Sequence, residues 1–171
     1  MRIDSAAEFV EYWKGVRYRT WRAIEKIRAE DLEWTYAPGR WTMGDIVRHL
    51  AGIERDMYAE NVAGRPSRYP GHGRELADGL DAVREYHQRK HTEAQAIFAT
   101  LTGEQLAGKC TTPAGTPITT YKWLRAMVEH EAHHRGQLYM MLGVRDVSVP
   151  PLYGLTEEEV KARSAFNAVA V

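Results

Sequence analysis

Seven histidines give this chain its clearest capacity for chemistry, because imidazole binds metals and exchanges protons near neutral pH. His130 and His134 are four residues apart, so in a helix they lie on one face, one turn apart. Two imidazoles in that position can bind the same divalent cation. The competing interpretation is a pair of core histidines that hydrogen-bond to neighbouring helices, as buried polar groups usually do.

His49 strengthens the metal interpretation. It belongs to a second predicted helix, on the inner side with Ile46 and Ile53, where it can face the helix that carries His130 and His134. Three histidines and an open, water-filled position form a recurrent catalytic zinc arrangement. The sequence therefore predicts a site for one divalent transition metal (nickel, zinc or iron) between the second and fourth helices.

A second histidine pair, His87 and His91, has the same spacing. Polar residues at positions 88–90 crowd the same turns, so we expect a solvated or half-buried face and not a second metal site. Cys110 is the only cysteine, which excludes an internal disulfide, and nothing around it indicates an activated thiolate.

The segment from His130 to His134 also satisfies the metallopeptidase pattern His-Glu-x-x-His, in which Glu131 would activate a metal-bound water. The extended form of that motif needs a glycine and a third histidine downstream, where Gln137 and Met140 stand. No histidine follows His134. A metallopeptidase is therefore the less favoured alternative.

The composition limits the possible partners. Lys plus Arg and Asp plus Glu are 23 each, so the formal net charge is zero, and no basic cluster indicates nucleic acid or lipid. No apolar run is long enough to span a membrane, and the N-terminal residues do not form a signal peptide. We expect a cytoplasmic protein with one domain over residues 1–171, a core at about 4–143 and a tail at 144–171.

Four stretches have apolar residues every three or four positions, which predicts four long helices. They run from Ser5 to near Glu30, from Thr42 to about Gly64, over about 75–101, and from Thr119 or Thr120 to Gly143. Residues 65–73 read as a loop, and residues 102–118 as an irregular crossover with a short hairpin around 113–116. A short helix should open at 156–159. The prediction is an all-α four-helix bundle plus a short C-terminal helix.

Two segments resemble motifs of the DinB/YfiT-like family. Trp41-Thr42-Met43-Gly44-Asp45-Ile46-Val47-Arg48-His49-Leu50 is similar to the family's Trp and Ser/Thr followed by His-Leu, and His130-Glu131-Ala132-His133-His134-Arg135-Gly136-Gln137-Leu138 to its His-x-x-x-His-Arg-Gly-Gln. The resemblance covers nearly the whole chain. It implies an up-up-down-down bundle with a long crossover, metal ligands at His49, His130 and His134, and a homodimer. Relatives bind nickel, zinc or related ions, and some are transferases or isomerases that depend on bacillithiol, mycothiol or glutathione.

These observations predict a metal-dependent enzyme, either a thiol-dependent S-transferase or a hydrolase. Three neutral imidazoles leave the ion its full charge, which lowers the pKa of a bound water or thiol. We expect a small-molecule substrate and a low-molecular-weight thiol as cosubstrate. The alternative is a non-catalytic metal-binding or stress-response module.

Catalytic residues are harder to assign than metal ligands. Glu54 is a candidate base, or else a partner in a surface salt bridge, and Arg135 a candidate substrate ligand, or else a partner in a helix or dimer contact. Asp45, one turn before His49, could orient that imidazole. For dimerisation the sequence gives only a hint, in tryptophans that exceed the needs of one helix face: Trp13, Trp21 and Trp34.

Overall fold

The structure is a computed structural model that describes residues 3–167, so the ends of the predicted domain, residues 1–2 and 168–171, lie outside it. Helix α1 is Ala6–Ile24, and α2 (Met43–Ile53) continues through a π-helical segment (Glu54–Tyr58) into α3 (Ala59–Val62). We call these last three together the second long helix. The remaining elements are α4 Leu80–Ala99, α5 Gly103–Ala107, β1 Lys109–Thr111, β2 Pro117–Thr119, α6 Thr120–Val144 and α7 Glu157–Asn167, with 3-10 turns at Ala29–Asp31 and Arg74–Leu76.

The helix starts follow local chemistry. The Ser5 hydroxyl accepts a hydrogen bond from the Glu8 backbone N–H, 3.3 Å away. Thr42 and Asp45 form a capping box, each side chain accepting from the other's backbone N–H. Because the Asp45 carboxylate is used at this cap and by Arg48, it does not orient His49, and that prediction was wrong.

Four long helices form the predicted bundle. Two contacts at or near the helices of each neighbouring pair give their relative direction. Helix α1 is antiparallel to α4 (Trp13–His91, Trp21–His87), and the second long helix is antiparallel to α6 (His49–His134, Tyr58–Trp123), because one residue number falls as the other rises. Helix α1 is parallel to α6 (Thr20–Glu131, Arg28–Arg145), and the second long helix is parallel to α4 (Gly52–Tyr86, Asp56–Lys90), because both numbers rise together.

The bundle is therefore confirmed, but its direction order is up-down-down-up and not the expected up-up-down-down. The two parallel neighbours in sequence, the second long helix and α4, are joined by residues 63–79, which is the crossover along the bundle. A 20-residue helix is about 30 Å long, and a connection of this size reaches about 55 Å when extended. Both long connections can span the bundle, so their lengths did not reveal which one crosses it.

The connections differ from the sequence prediction in detail. Helix α1 ends at Ile24, earlier than expected, and α4 begins only at Leu80, after Gly79 at φ 87°. The hairpin before α6 is confirmed: β1 and β2 pair antiparallel around a turn in which Gly115 has φ 78°. The short helix α5 was not predicted. No helix in the described range 3–167 is long and apolar enough to cross a membrane.

The core consists of two apolar clusters. One surrounds Trp13, Phe98 and Met127, and the other surrounds Leu50 and Leu138. Between them along the helices lie buried polar side chains, which we call the polar layer: Arg17, Thr20, Glu54, Glu131 and Arg135. This layer lies at the height of the bundle where the histidines are found.

Candidate metal centre

The structure brings together the three histidines that the sequence singled out. His49 projects from α2, and His130 and His134 from successive turns of α6. The Nε2 atom of His130 lies 3.0 Å from that of His49 and 3.1 Å from that of His134. One ligand atom from each residue lies within 4.8 Å of the other two. Two antiparallel helices thus present three imidazole nitrogens to one point.

Hydrogen bonds on the outer side fix two of these rings. The Nδ1 atom of His134 lies 2.7 Å from Gln137 Oε1, which can only accept, so His134 carries its proton on Nδ1 and turns an Nε2 lone pair inward. The Nδ1 atom of His49 lies 2.6 Å from the Tyr69 hydroxyl. Such outer partners orient metal-binding histidines. Sequence reasoning missed Tyr69 because it lies in the 65–73 loop, whose path no periodicity reveals.

Aromatic side chains cover the cluster on one side. The Trp41 ring centroid lies 4.7 Å from that of His49 and 5.6 Å from that of His134, nearly parallel to the latter. The His72 ring is tilted by 40° against Trp41, with centroids 4.2 Å apart, and lies 6.4 Å from the ring of His49, outside the three-histidine group. Trp41 therefore forms an aromatic wall.

Burial sets the protonation of the cluster. It is the largest cause lowering the pKa of His49 to about 3 and of His130 to about 4, with repulsion among the imidazoles adding to it. Burial also lowers the pKa of His134. The rings are therefore neutral at pH 7, which is the form that ligates a metal.

The donor set fits one transition ion. Two nitrogens each about 2.1 Å from an ion lie about 3.0 Å apart at a right angle and about 3.4 Å apart at the tetrahedral angle that zinc prefers. The Nε2 atom of His130 lies 3.0 Å from that of His49 and 3.1 Å from that of His134, at the short end of this range. Imidazole nitrogen suits zinc, nickel and iron alike. The fit therefore supports a metal without selecting one.

The Glu131 carboxylate does not join this cluster. It is fully buried and accepts a hydrogen bond of 2.5 Å from the Thr20 hydroxyl of α1. In the described part of the chain, the group of possible metal ligands contains no carboxylate. The metallopeptidase alternative therefore lacks its general base beside the metal, although the linear motif is intact.

The two candidate catalytic residues are both internal. Glu54 is 1% exposed and accepts from Arg17 Nη1 at 3.0 Å, so this pair is buried and is not the surface salt bridge that the sequence offered. Burial, reinforced by Glu131 and opposed by Arg17, raises the pKa of Glu54 well above its usual value. Arg135 donates to the Val16 carbonyl and to Thr20, both 3.4 Å away. It makes the helix contact that was the alternative to substrate binding.

A cleft of about 280 Å³ adjoins the centre. Trp41 and Gln137 belong to both, and Arg40 and Met140 complete a mixed aromatic, apolar and cationic lining with Tyr36. A larger cavity, about 580 Å³, lies between residues 64–67 and the β1–β2 hairpin. It is lined by other residues, including Cys110, whose thiol pKa is raised by burial. Of these two spaces, the smaller cleft lies beside the histidines, and none of the three histidines lines it.

Known proteins share this architecture. The family model of the DinB superfamily matches residues 12–138. The uncharacterized protein YrdA of Bacillus subtilis (strain 168) is 24% identical over 156 residues, which is 88% of this chain and 89% of that protein.

Two solved structures are similar in fold. A DinB-like protein from Bacillus cereus ATCC 10987 has a TM-score of 0.73 at 18% identity, covering 86% of this chain and 97% of its own. The DinB-like protein YjoA from Bacillus subtilis has a TM-score of 0.71 at 21% identity, covering 87% and 99%.

Proposed function

The chain belongs to the DinB superfamily, and we propose that it is an enzyme that binds one divalent transition metal through His49, His130 and His134. The observation that carries this proposal is the convergence of three Nε2 atoms, two of them 3.0 and 3.1 Å from the third. A bound ion with three neutral ligands supplies Lewis acidity, which lowers the pKa of a coordinated water or thiol.

The chain's own residues orient and shield this site. Gln137 holds the His134 tautomer, and Tyr69 fixes the His49 ring. Trp41 limits the access of water and forms one wall of the adjoining cleft. Arg40, on the rim of that cleft, offers a charge to an anionic substrate group.

The reaction we propose is S-transfer from a low-molecular-weight thiol to a small electrophile, or else hydrolysis of a small ester. Among the residues described, no carboxylate accompanies the three histidines, so the acidity of the nucleophile must come from the ion. A thiol suits this arrangement better than water, because its lower pKa needs less help from a base. The cleft, at about 280 Å³, has room for a small molecule and not for a peptide chain.

Elemental mass spectrometry of the untagged protein tests the site. We expect about one zinc, nickel or iron ion per chain in the wild type, and loss of that ion in His49→Ala and His130→Ala. His91→Ala is the matched control, since His91 lies on α4 outside the three-histidine group and should leave the metal content unchanged. A wild-type protein that neither contains metal nor takes up zinc or nickel would remove the basis of the proposal.

Measuring turnover then distinguishes an enzyme from a non-catalytic metal-binding or stress-response module. Metal-loaded protein is assayed with glutathione, bacillithiol or mycothiol plus electrophiles, and with an ester panel. Cobalt-substituted protein reports by its visible spectrum whether coordination positions stay open. A closed coordination shell together with no turnover would favour the non-catalytic module over the enzyme.

We also propose that the protein is a homodimer. Trp13 is fully buried, so it cannot contribute to an interface as its sequence position suggested. Trp34 remains partly exposed, and Val144 at the end of α6 is an exposed apolar residue; both lie outside the lining of the cleft, and a second copy would cover them. Sedimentation that finds only monomer at micromolar concentrations would exclude this.

A further inference from the structure

One edge of the β1–β2 hairpin is unpaired. The Thr112 N–H donates to the Thr116 carbonyl, 3.0 Å away, so the even-numbered residues of this strand form the hydrogen bonds to β2. Because bonded and non-bonded positions alternate in antiparallel strands, the N–H and C=O groups of Lys109 and Thr111 point away from β2. No other backbone group within residues 3–167 bonds to these four groups.

The opposite edge of the hairpin is protected. On β2 the residue at the matching position is Pro117, which has no N–H to offer. The same strand runs directly into α6 at Thr120. A strand edge with regularly spaced donors and acceptors is a template for another strand, and proteins usually block such edges. In this hairpin the β2 edge is blocked and the β1 edge is not.

A groove lies along the unblocked edge. It is the cavity of about 580 Å³ between β1 and residues 64–67. A smaller cavity of about 210 Å³ continues it toward Gly108 and shares part of its lining: Asn61, Gly64, Lys109 and Cys110. Together the two spaces follow the chain from Gly108 to Pro113, which is about 16 Å of extended backbone. The groove therefore has the length of a short peptide strand.

Basic side chains border this groove. Lys109 is exposed and has no ion-pair partner among the described residues. The Arg65 side chain is 50% exposed and bonds to Glu60 through Nε and Nη2, which leaves Nη1 unused. Arg68 and Arg55 share the same carboxylate, so this wall carries a net positive charge. The described residues that line the two cavities include no Asp or Glu.

The backbone pattern and the charge together indicate the class of ligand. A small acid would neutralise the cations but would leave the donors and acceptors of β1 unpaired, whereas an extended chain satisfies both. We propose that the free edge of β1 binds an acidic, extended peptide segment of a partner protein, which adds a third strand to the hairpin and places carboxylates beside Lys109 and Arg65. A second copy of the chain fits less well, because it would bring two basic edges together.

Nuclear magnetic resonance of the isotope-labelled full-length protein tests this site independently of the metal centre. The probe is the peptide Thr-Glu-Val-Glu-Thr, blocked at both ends. We expect saturable shifts and slower solvent exchange at the amides of Lys109 and Thr111, with a dissociation constant on the order of 1 mM for so short a peptide. The charge-reversed peptide Thr-Lys-Val-Lys-Thr and a blocked single glutamate should bind about fivefold more weakly or worse.

Three results would overturn the proposal. One is the absence of saturation, or saturation that leaves the amides of Lys109 and Thr111 unchanged. Another is equally tight binding of the basic peptide or of the blocked glutamate, which would mean that the groove does not select an acidic strand. The third is a shift of the same amides when the protein is concentrated without peptide, which would assign the edge to a second copy of the chain.

Variants separate the backbone contacts from the side-chain contacts. Thr111→Pro removes an N–H that does not bond to β2, so the hairpin should persist while peptide affinity falls about fivefold. Thr111→Val keeps this N–H and is the matched control, with wild-type affinity expected. Lys109→Gln should weaken binding about threefold at low salt, whereas Lys122→Gln, an exposed change on α6, should not.

The integrity of the hairpin is checked in each variant by the amide signals of Cys110 and Ile118, which pair across the two strands. If Thr111→Pro disrupts these signals, the comparison of Lys109→Gln with Lys122→Gln and the exchange rates of the wild-type amides decide the question. Unchanged affinity in the folded Thr111 and Lys109 variants would place the peptide elsewhere and refute the assignment to β1.

Discussion

Replacing Glu54 by glutamine determines whether this buried carboxyl group is a neutral acid. Its Oε1 atom accepts from Arg17 Nη1 at 3.0 Å. Its Oε2 atom and Oε2 of Glu131 both lack a hydrogen-bond partner in the described structure, and the two carboxyl groups interact with each other. A single proton held by Glu54 and donated to Glu131 would satisfy both orphan oxygens. A glutamine amide reproduces this pattern, with its oxygen toward Arg17 and its N–H toward Glu131.

The expected effect on stability follows from linkage. Burial, with a further contribution from Glu131, raises the pKa of Glu54 in the folded protein. A raised folded-state pKa stabilises the fold below the unfolded-state pKa, and this stabilisation is lost as pH rises toward the folded value. Each pH unit in that window costs about 1.4 kcal/mol. Glutamine has no such proton to lose, so Glu54→Gln should be about as stable as the wild type near pH 4.5 and gain about 1.4 kcal/mol relative to it per pH unit above that, which is about 3 kcal/mol at pH 7 when Glu54 is still neutral there.

Urea unfolding of the metal-free proteins at pH 4.5, 6, 7 and 8 measures this difference. The buried histidines titrate alike in both proteins, so the difference between wild type and variant isolates Glu54. Glu129→Gln, an exposed change on α6, should stay within about 0.5 kcal/mol of the wild type at every pH. If Glu54→Gln is instead about 3–5 kcal/mol less stable at pH 7, Glu54 is ionised, and the variant leaves the Arg17 guanidinium uncompensated.

Three further changes have defined outcomes. Tyr69→Phe removes the hydroxyl 2.6 Å from His49 Nδ1 and should weaken metal affinity about tenfold in competition with a chelator, whereas an unchanged affinity would mean that the ring needs no such support. Hydrogen bonds from arginines, foremost Arg65, lower the pKa of Glu60 to about 2. The free energy of unfolding of the wild type should therefore exceed that of Glu60→Gln by about 2 kcal/mol at pH 7, and guanidinium unfolding should show this difference shrinking below pH 4.5. A difference that does not change with pH would contradict this expectation. Gly44→Ala places a methyl group 3.0 Å from a guanidinium nitrogen and from a carboxylate oxygen, and should lower the melting temperature by several degrees; an unchanged value would show that both groups can move away.

The sequence predicted the three-histidine cluster because spacing along a helix is a local property. His130 and His134 share a face whatever the helix packs against, and the inner position of His49 follows from its apolar neighbours. The four long helices were predictable for the same reason. The direction of each helix was not, because periodicity is unchanged when a helix is reversed, and residues 63–79 and 100–119 are both long enough to cross the bundle.

Buried polar residues were the main source of error. Glu54 was assigned to the surface or the cleft, and His87 to a solvated or half-buried face, because burying a polar group is costly without a partner. The partner of Glu54 is Arg17, 37 positions away, and the buried His87 ring stacks on Trp21, 66 positions away. Contacts of this kind depend on tertiary packing, and no local pattern shows them.

The polar layer also fixes the axial register of the helices in the bundle. Apolar side chains in helices repeat about every turn, so two helices can slide by one turn, about 5.4 Å, and still match apolar surfaces. Such a slip in this chain would move Arg17 away from Glu54 and Glu131 and set a buried charge against one of the apolar clusters. The layer therefore makes packings that are shifted by one turn less stable. The register that it favours places His49 opposite His130 and His134.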